Sequence, residues 1–155
     1  MSERTSRFPR GQAAIAGIGC TEFSRESGVS PFALAVRAVK AAVADAGLQV
    51  SDIDGFATFG VNDSISPNLL AQSLGVRSMR YYVDQWFGGS VSLSVLGQAS
   101  LAVSAGVAEC VVCYRALNGR SGRRLRSAPL RCSNSPRARS CSGPVSPAII
   151  CSPSA

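Results

Sequence analysis

Between Asp84 and Glu109 the chain carries no charged residue, and this interval constrains everything around it. It opens on Gly88-Gly89-Ser90 and places Val91, Val95, Leu96, Ala99, Ala102 and Val103 at helical spacing. It breaks at Ala105-Gly106 and resumes as the strand-like Cys110-Val111-Val112-Cys113-Tyr114. Small residues all round a helix let other backbone approach closely on several sides, so the pattern predicts a buried core helix. A Gly-Gly-Ser turn at its start directs free backbone N–H groups into a concave, polar spot. If the chain has a site, it is expected here, at Gly88, Gly89 and Ser90.

The flanking segments read as alternating strands and helices. Ala13–Phe23 is a short apolar run ending in glycines, a buried strand leading to a turn. Ser30-Pro31 supplies an N-cap and a first-turn proline for a helix running to about Ala46 and stopping at Gly47. Only Arg37, Lys40 and Asp45 interrupt its apolar surface, which predicts packing over most of its circumference. Gly55–Phe59 reads as a second strand, Asn68–Leu74 as a helix after Ser66-Pro67, and Met79–Val83 as a third strand. The uncharged helix and a strand over Glu109–Ala116 complete the pattern. This order indicates an α/β fold with a mainly parallel sheet.

The charge of +7 belongs to one end of the chain. All nine acids and nine of the 16 basic residues lie before Asn118, so that part sums to zero. The other seven, all arginines, lie in residues 119–155 with five of the eight prolines and no acid. That segment shows no hydrophobic periodicity, and neither helix nor strand is expected in it. An arginine-serine arm for RNA and a phosphorylated linker are two readings, but there are no RS or RGG repeats and no aromatic residue to stack on bases. The composition also fits GC-rich DNA translated out of frame. The organisation expected is thus a domain over 12–118 and a disordered tail over 119–155, with no nucleic-acid partner.

Cys20, Cys110 and Cys113 sit in apolar runs, and the six cysteines show no small secreted framework, so buried reduced thiols are expected. Gly17 is too small for the residue a lipoprotein signal needs three places before Cys20, and the apolar run is short. The Val91–Val107 stretch is too interrupted for a membrane span. A soluble, cytoplasmic protein is the expectation.

Chemistry needs ionisable groups, and the chain has no histidine. That removes Ser-His and Cys-His pairs and most zinc sites. Residues three apart on a strand face opposite sides, so Cys110-x-x-Cys113 is core packing rather than a metal or redox pair. Gly17-x-Gly19 lacks the third glycine and immediate helix of a dinucleotide loop and reads as a turn. Asp52 and Asp54 read as a solvated turn. Tyr81, Tyr82 and Tyr114 read as strand aromatics. No catalytic residue, metal or cofactor is expected.

AAIAGIGCTEFSRESG, a helix ending in DAGL, DIDGFATFG, and FGGSVSLSVLGQASLAVSAGVAECVVCYRALNGRSGRR resemble, in this order, the N-terminal part of thiolase-superfamily proteins over about residues 12–124. The branch resembled is the thiolase-like lipid-transfer proteins, related to the thiolase part of sterol carrier protein X and to steroid side-chain aldolase subunits. The resemblance implies a partial thiolase-like fold whose central helix, about 89–106, would carry a catalytic cysteine at its start. That position falls on Gly89, and a glycine cannot attack a thioester, so acyl transfer through a covalent cysteine is excluded. The branch implies acyl-CoA or steroid-CoA substrates, retro-aldol chemistry in some members, an OB-fold partner subunit and a possible homodimer. The family's other catalytic residues lie in a C-terminal half, which implies a truncated copy of a thiolase-like protein or, alternatively, a non-catalytic self-associating or paralogue-binding module. If a frameshift made the tail, the codons after Asn118 read in another frame should continue the α/β pattern and supply histidines; immediate stop codons in both other frames would refute it.

Overall fold

Ser30 and Pro31 start the first helix as their order predicts. The Ser30 hydroxyl accepts the Ala33 N–H at 3.2 Å, and the helix, α1, runs Pro31–Asp45. Gly47 ends it at φ 69°, where the left-handed turn lets Gly47 N–H reach Ala44 O and Leu48 N–H reach Val43 O, both at 3.1 Å. The computed structural model describes residues 11–22, 28–60, 64–86, 91–117 and 147–153.

The elements in chain order are β1 (Ala14–Ile18), α1, a 3₁₀ turn (Val50–Asp52), β2 (Gly55–Gly60), α2 (Pro67–Leu74), β3 (Tyr81–Trp86), α3 (Ser92–Ser104), β4 (Cys110–Tyr114) and β5 (Ala148–Cys151). They form a five-stranded sheet in the order β1-β5-β4-β2-β3. β4, β2 and β3 pair in parallel, while β5 runs antiparallel to both β4 and β1. Four strands therefore share one direction, and the α/β, mainly parallel expectation holds.

Alternation along the strands makes two cores. On one face α1 and α2 cover Phe56, Val112, Tyr114, Ile149 and Cys151. On the other, α3 covers Ala57, Val111, Cys113 and Ile150. Cys110 and Cys113 do face opposite sides, as strand geometry requires.

Several expectations need correction. β3 begins at Tyr81 and reaches Trp86, later than the predicted Met79–Val83, because Tyr81 pairs with Gly55 and the ladder continues to Gly60 and Trp86. α1 buries one stripe (Leu34, Ala35, Ala38, Val39, Ala42, Val43) and leaves Arg37, Lys40, Ala41 and Ala44 exposed, because only one sheet face meets it. α3 likewise buries Val95, Ala99, Ala102 and Val103 but exposes Leu93 and Leu101, so it is a core helix on one side only.

The largest departure lies in the 119–155 segment. Ala148–Cys151 forms an inner strand, with Ile149, Ile150 and Cys151 buried. Two isoleucines and a cysteine among serines and prolines are too short a run for periodicity to register, yet β1 and β4 supply a ladder on each side. Cys110 and Cys151 face each other across β4 and β5 and are joined as a disulfide, so these two are not the reduced thiols expected. Cys20 is free but exposed, and Cys113 is free and buried.

Gly17-x-Gly19 is a packing motif rather than a turn. A Cβ at Gly17 would stand 2.5 Å from Ala42 O, and one at Gly19 would overlap the backbone of Ala38 and Ala42. The glycines let α1 lie directly on β1, where Ile18 N–H donates to Asp45 Oδ2 at 2.9 Å. Gly19→Val should cost about 3 kcal/mol, because the obstructing atoms are helix backbone and cannot rotate away. Denaturant midpoints would check this, with Gly11→Ala, which meets no atom within 4 Å but adopts φ 74°, as a milder comparison.

Candidate functional site

In sheets of this kind ligands sit beyond the carboxyl ends of the parallel strands. Here those ends are Gly60, Trp86 and Tyr114, and α3 starts beside them. Gly88, Gly89 and Ser90 lie outside the described residues. The chain is described up to Trp86 and again from Val91, so the candidate turn joins the end of β3 to the start of α3.

On the α2 side, Thr58 is completely buried and its hydroxyl donates to Tyr114 O at 2.7 Å. A threonine has one hydroxyl proton, so the 3.2 Å contact between Thr58 and Ser64 hydroxyls is donated by Ser64. The Tyr114 phenol donates to Ile65 O, tying the chain entering α2 to the end of β4. Burial first, and the Asp84 carboxylate second, push the Tyr114 phenol well above its ordinary range. Burial also raises the Asp84 carboxyl.

On the α3 side, the Arg115 guanidinium donates to Phe59 O at 3.1 Å and stacks 4.5 Å from the Phe59 ring centre. Gln85 Oε1 is buried without a hydrogen-bond partner among the described residues, an acceptor available to a ligand N–H or O–H. Trp86, 68 % exposed, stands at the strand end as the chain's single tryptophan. Cys113 is not a displaced nucleophile, since burial pushes its thiol up to about 12 and leaves negligible thiolate at neutral pH.

Sequence reasoning placed Tyr114 among packing aromatics and missed Thr58, Ser64 and Asp84. Only Asp84, the last charge before the uncharged interval, carried a local signal. Asp52 and Asp54 lie at the opposite end of the sheet and are structural. Asp52 Oδ2 accepts Gln49 N–H at 2.8 Å, while Asp54 accepts Glu109 N–H at 2.9 Å and Cys110 N–H at 2.9 Å. A half-open cleft of about 900 Å³ lies at that end, lined by Arg77, Arg80, Asp54, Glu109 and Cys110 among others. Its charges largely serve each other, with Arg80 3.8 Å from Asp54 and 3.7 Å from Glu109. No cluster of three metal-ligating side chains occurs among the described residues, and no described helix is long and apolar enough to cross a membrane.

No protein-family model matches the chain. It is 49 % identical over 112 residues to a steroid side-chain-cleaving aldolase of Thermomonospora curvata, covering 72 % of this chain and 28 % of that protein. It is 44 % identical over 115 residues to the 17-hydroxy-3-oxo-4-pregnene-20-carboxyl-CoA lyase of Mycobacterium tuberculosis, covering 74 % and 30 %. The chain thus spans less than a third of the length of these curated relatives. Among solved structures, an Ltp2-ChsH2(DUF35) aldolase matches at TM-score 0.69 and 47 % identity over 76 % of this chain and 31 % of that one. A 3-oxoacyl-[acyl-carrier-protein] synthase III of Aquifex aeolicus matches at TM-score 0.64 and 15 % identity over 90 % of this chain and 53 % of that one, a likeness of fold alone. The fold is thiolase-like.

The raised phenol sets a sign for pH dependence. A folded-state value above the ordinary 10.0 stabilises the fold below pH 10, and that stabilisation is lost as pH climbs beyond it. Tyr114→Phe should therefore flatten the alkaline loss of stability, while costing about 1 kcal/mol at pH 7 for the lost hydrogen bond. By the same sign, Asp84 stabilises the fold only while protonated, so Asp84→Asn should raise the melting temperature at pH 7 and not at pH 3. Thermal melts of both variants across pH measure this.

Proposed function

We propose that the chain is the thiolase-like N-terminal part of a carbon–carbon lyase handling steroid-CoA or another acyl-CoA, with a second subunit as partner. The observation that carries this reading is identity of 44–49 % to two proteins named for steroid side-chain cleavage and carboxyl-CoA lysis. The solved Ltp2-ChsH2(DUF35) aldolase, at 47 % identity, supports the partner subunit through its two-component name.

In this reading the Gly88-Gly89-Ser90 turn offers backbone N–H groups to the thioester carbonyl oxygen. A retro-aldol step needs charge stabilisation at that oxygen as the carbon–carbon bond breaks and an enolate forms, rather than a nucleophile. Gly89 suits that chemistry, since it leaves room where a cysteine would attack.

Trp86 makes the reading testable in the wild-type chain. A steroid-CoA or acyl-CoA thioester bound at the start of α3 should give a saturable change in its fluorescence. Gly89→Cys should become acylated by acyl-CoA, seen as a mass increase of the acyl group, while the wild type gains none. Unchanged fluorescence together with an unmodified Gly89→Cys would refute the site.

A second reading, self-association without catalysis, is favoured by the uncharged outer face of α3, where Leu93 is 78 % and Leu101 48 % exposed. Its measure is sedimentation equilibrium of the full chain. A monomer at micromolar concentration would end it.

A further inference from the structure

We propose that Cys110 and Cys151 form a thiol–disulfide exchange site whose oxidation locks β5 into the sheet. β5 has four residues, yet it occupies an inner position and is the only strand paired with β1 in the described sheet. Without it, β1 pairs with no strand of the described sheet and keeps its contacts with α1, through Gly17, Gly19 and the Ile18–Asp45 bond. The two cysteines pair directly in the ladder, 41 residues apart in sequence, so the bond joins the strand to its neighbour across a long connection.

The chemistry is confined to this pair. Cys113 lies on β4 three residues away but on the α3 side of the sheet, so it cannot intercept the bond. Both bonded cysteines are buried, and Cys110 lines the cleft at the amino ends of β2 and β4. That cleft carries Arg77 and Arg80 together with Asp52, Asp54 and Glu109, so neither sign of charge bars a small reagent.

The co-reactant is a low-molecular-weight thiol and its disulfide. In closing, one cysteine thiolate attacks the small disulfide, forms a mixed disulfide and releases one small thiolate. The second cysteine thiolate then attacks the protein sulfur of that mixed disulfide and releases the other. The two cysteines lose two protons and two electrons, and the small disulfide becomes two thiols. Opening is the reverse.

Besides the bond, the ladder, the buried isoleucines and the end contacts hold β5 in place. Gly19 N–H donates to Pro147 O at 3.1 Å and Ser152 N–H to Glu109 O at 3.2 Å, bonds that do not involve the two sulfurs. Reduction should therefore loosen β5 rather than unfold the domain.

The full chain equilibrated in oxidised or reduced glutathione buffers tests this. After denaturation without reductant, alkylation and peptide mapping should leave Cys110 and Cys151 unmodified in the oxidised sample and linked to each other. Hydrogen exchange over residues 147–153 and 11–22 should be at least tenfold faster in the reduced sample. Cys151→Ser should exchange fast in both buffers, and Cys113→Ser should still switch. Alkylation of both Cys110 and Cys151 in the oxidised sample would overturn the proposal. So would equal exchange of the wild type in the two buffers, a result readable even if Cys151→Ser fails to fold.

Discussion

One aspartate sets the register of three parallel strands. Asp54 spends its carboxylate on the N–H groups of Glu109 and Cys110, and its own N–H on Cys110 O at 3.2 Å. Its carbonyl accepts Arg80 N–H at 2.7 Å and Tyr81 N–H at 3.2 Å. The amino ends of β2, β3 and β4 are thereby joined at a single residue. Charge-assisted bonds to backbone N–H are stronger than neutral ones, and the side chain is only 14 % exposed. Parallel neighbours have no tight hairpin to fix their alignment, so a side-chain clamp supplies it.

Alignment at one end decides the other. With Gly55 opposite both Tyr81 and Val111, the ladders bring Gly60 beside Trp86 and Thr58 beside Tyr114. The Thr58–Tyr114 and Tyr114–Ile65 bonds exist because of that register, and so does the approach of α3 to the strand ends. The same clamp places Cys110 at the start of β4, opposite Cys151. A candidate ligand site and a covalent cross-link at opposite ends of the sheet thus depend on one residue.

The two helical layers are built differently. Glycines and alanines let α1 reach β1 at backbone distance, and α1 and α2 close one face. α3 alone serves the other, burying four side chains while Leu93, Gly97 and Leu101 face outward.

Local sequence determined the helices, because their signals are local: Ser-Pro starts, left-handed glycines at Gly47 and Gly75, and apolar residues at helical spacing. It also determined the opposed faces of Cys110 and Cys113 and the thiolase-like fold through the order of its motifs. Tertiary structure alone decided the rest, because each remaining feature joins residues distant in sequence. Gly17 and Gly19 looked like a turn until α1 lay on them. Asp54 looked solvated until β4 arrived, 55 residues on. Ile149 and Ile150 gave no periodic signal, and they form a strand because β1 and β4 pair with their backbone groups on both sides.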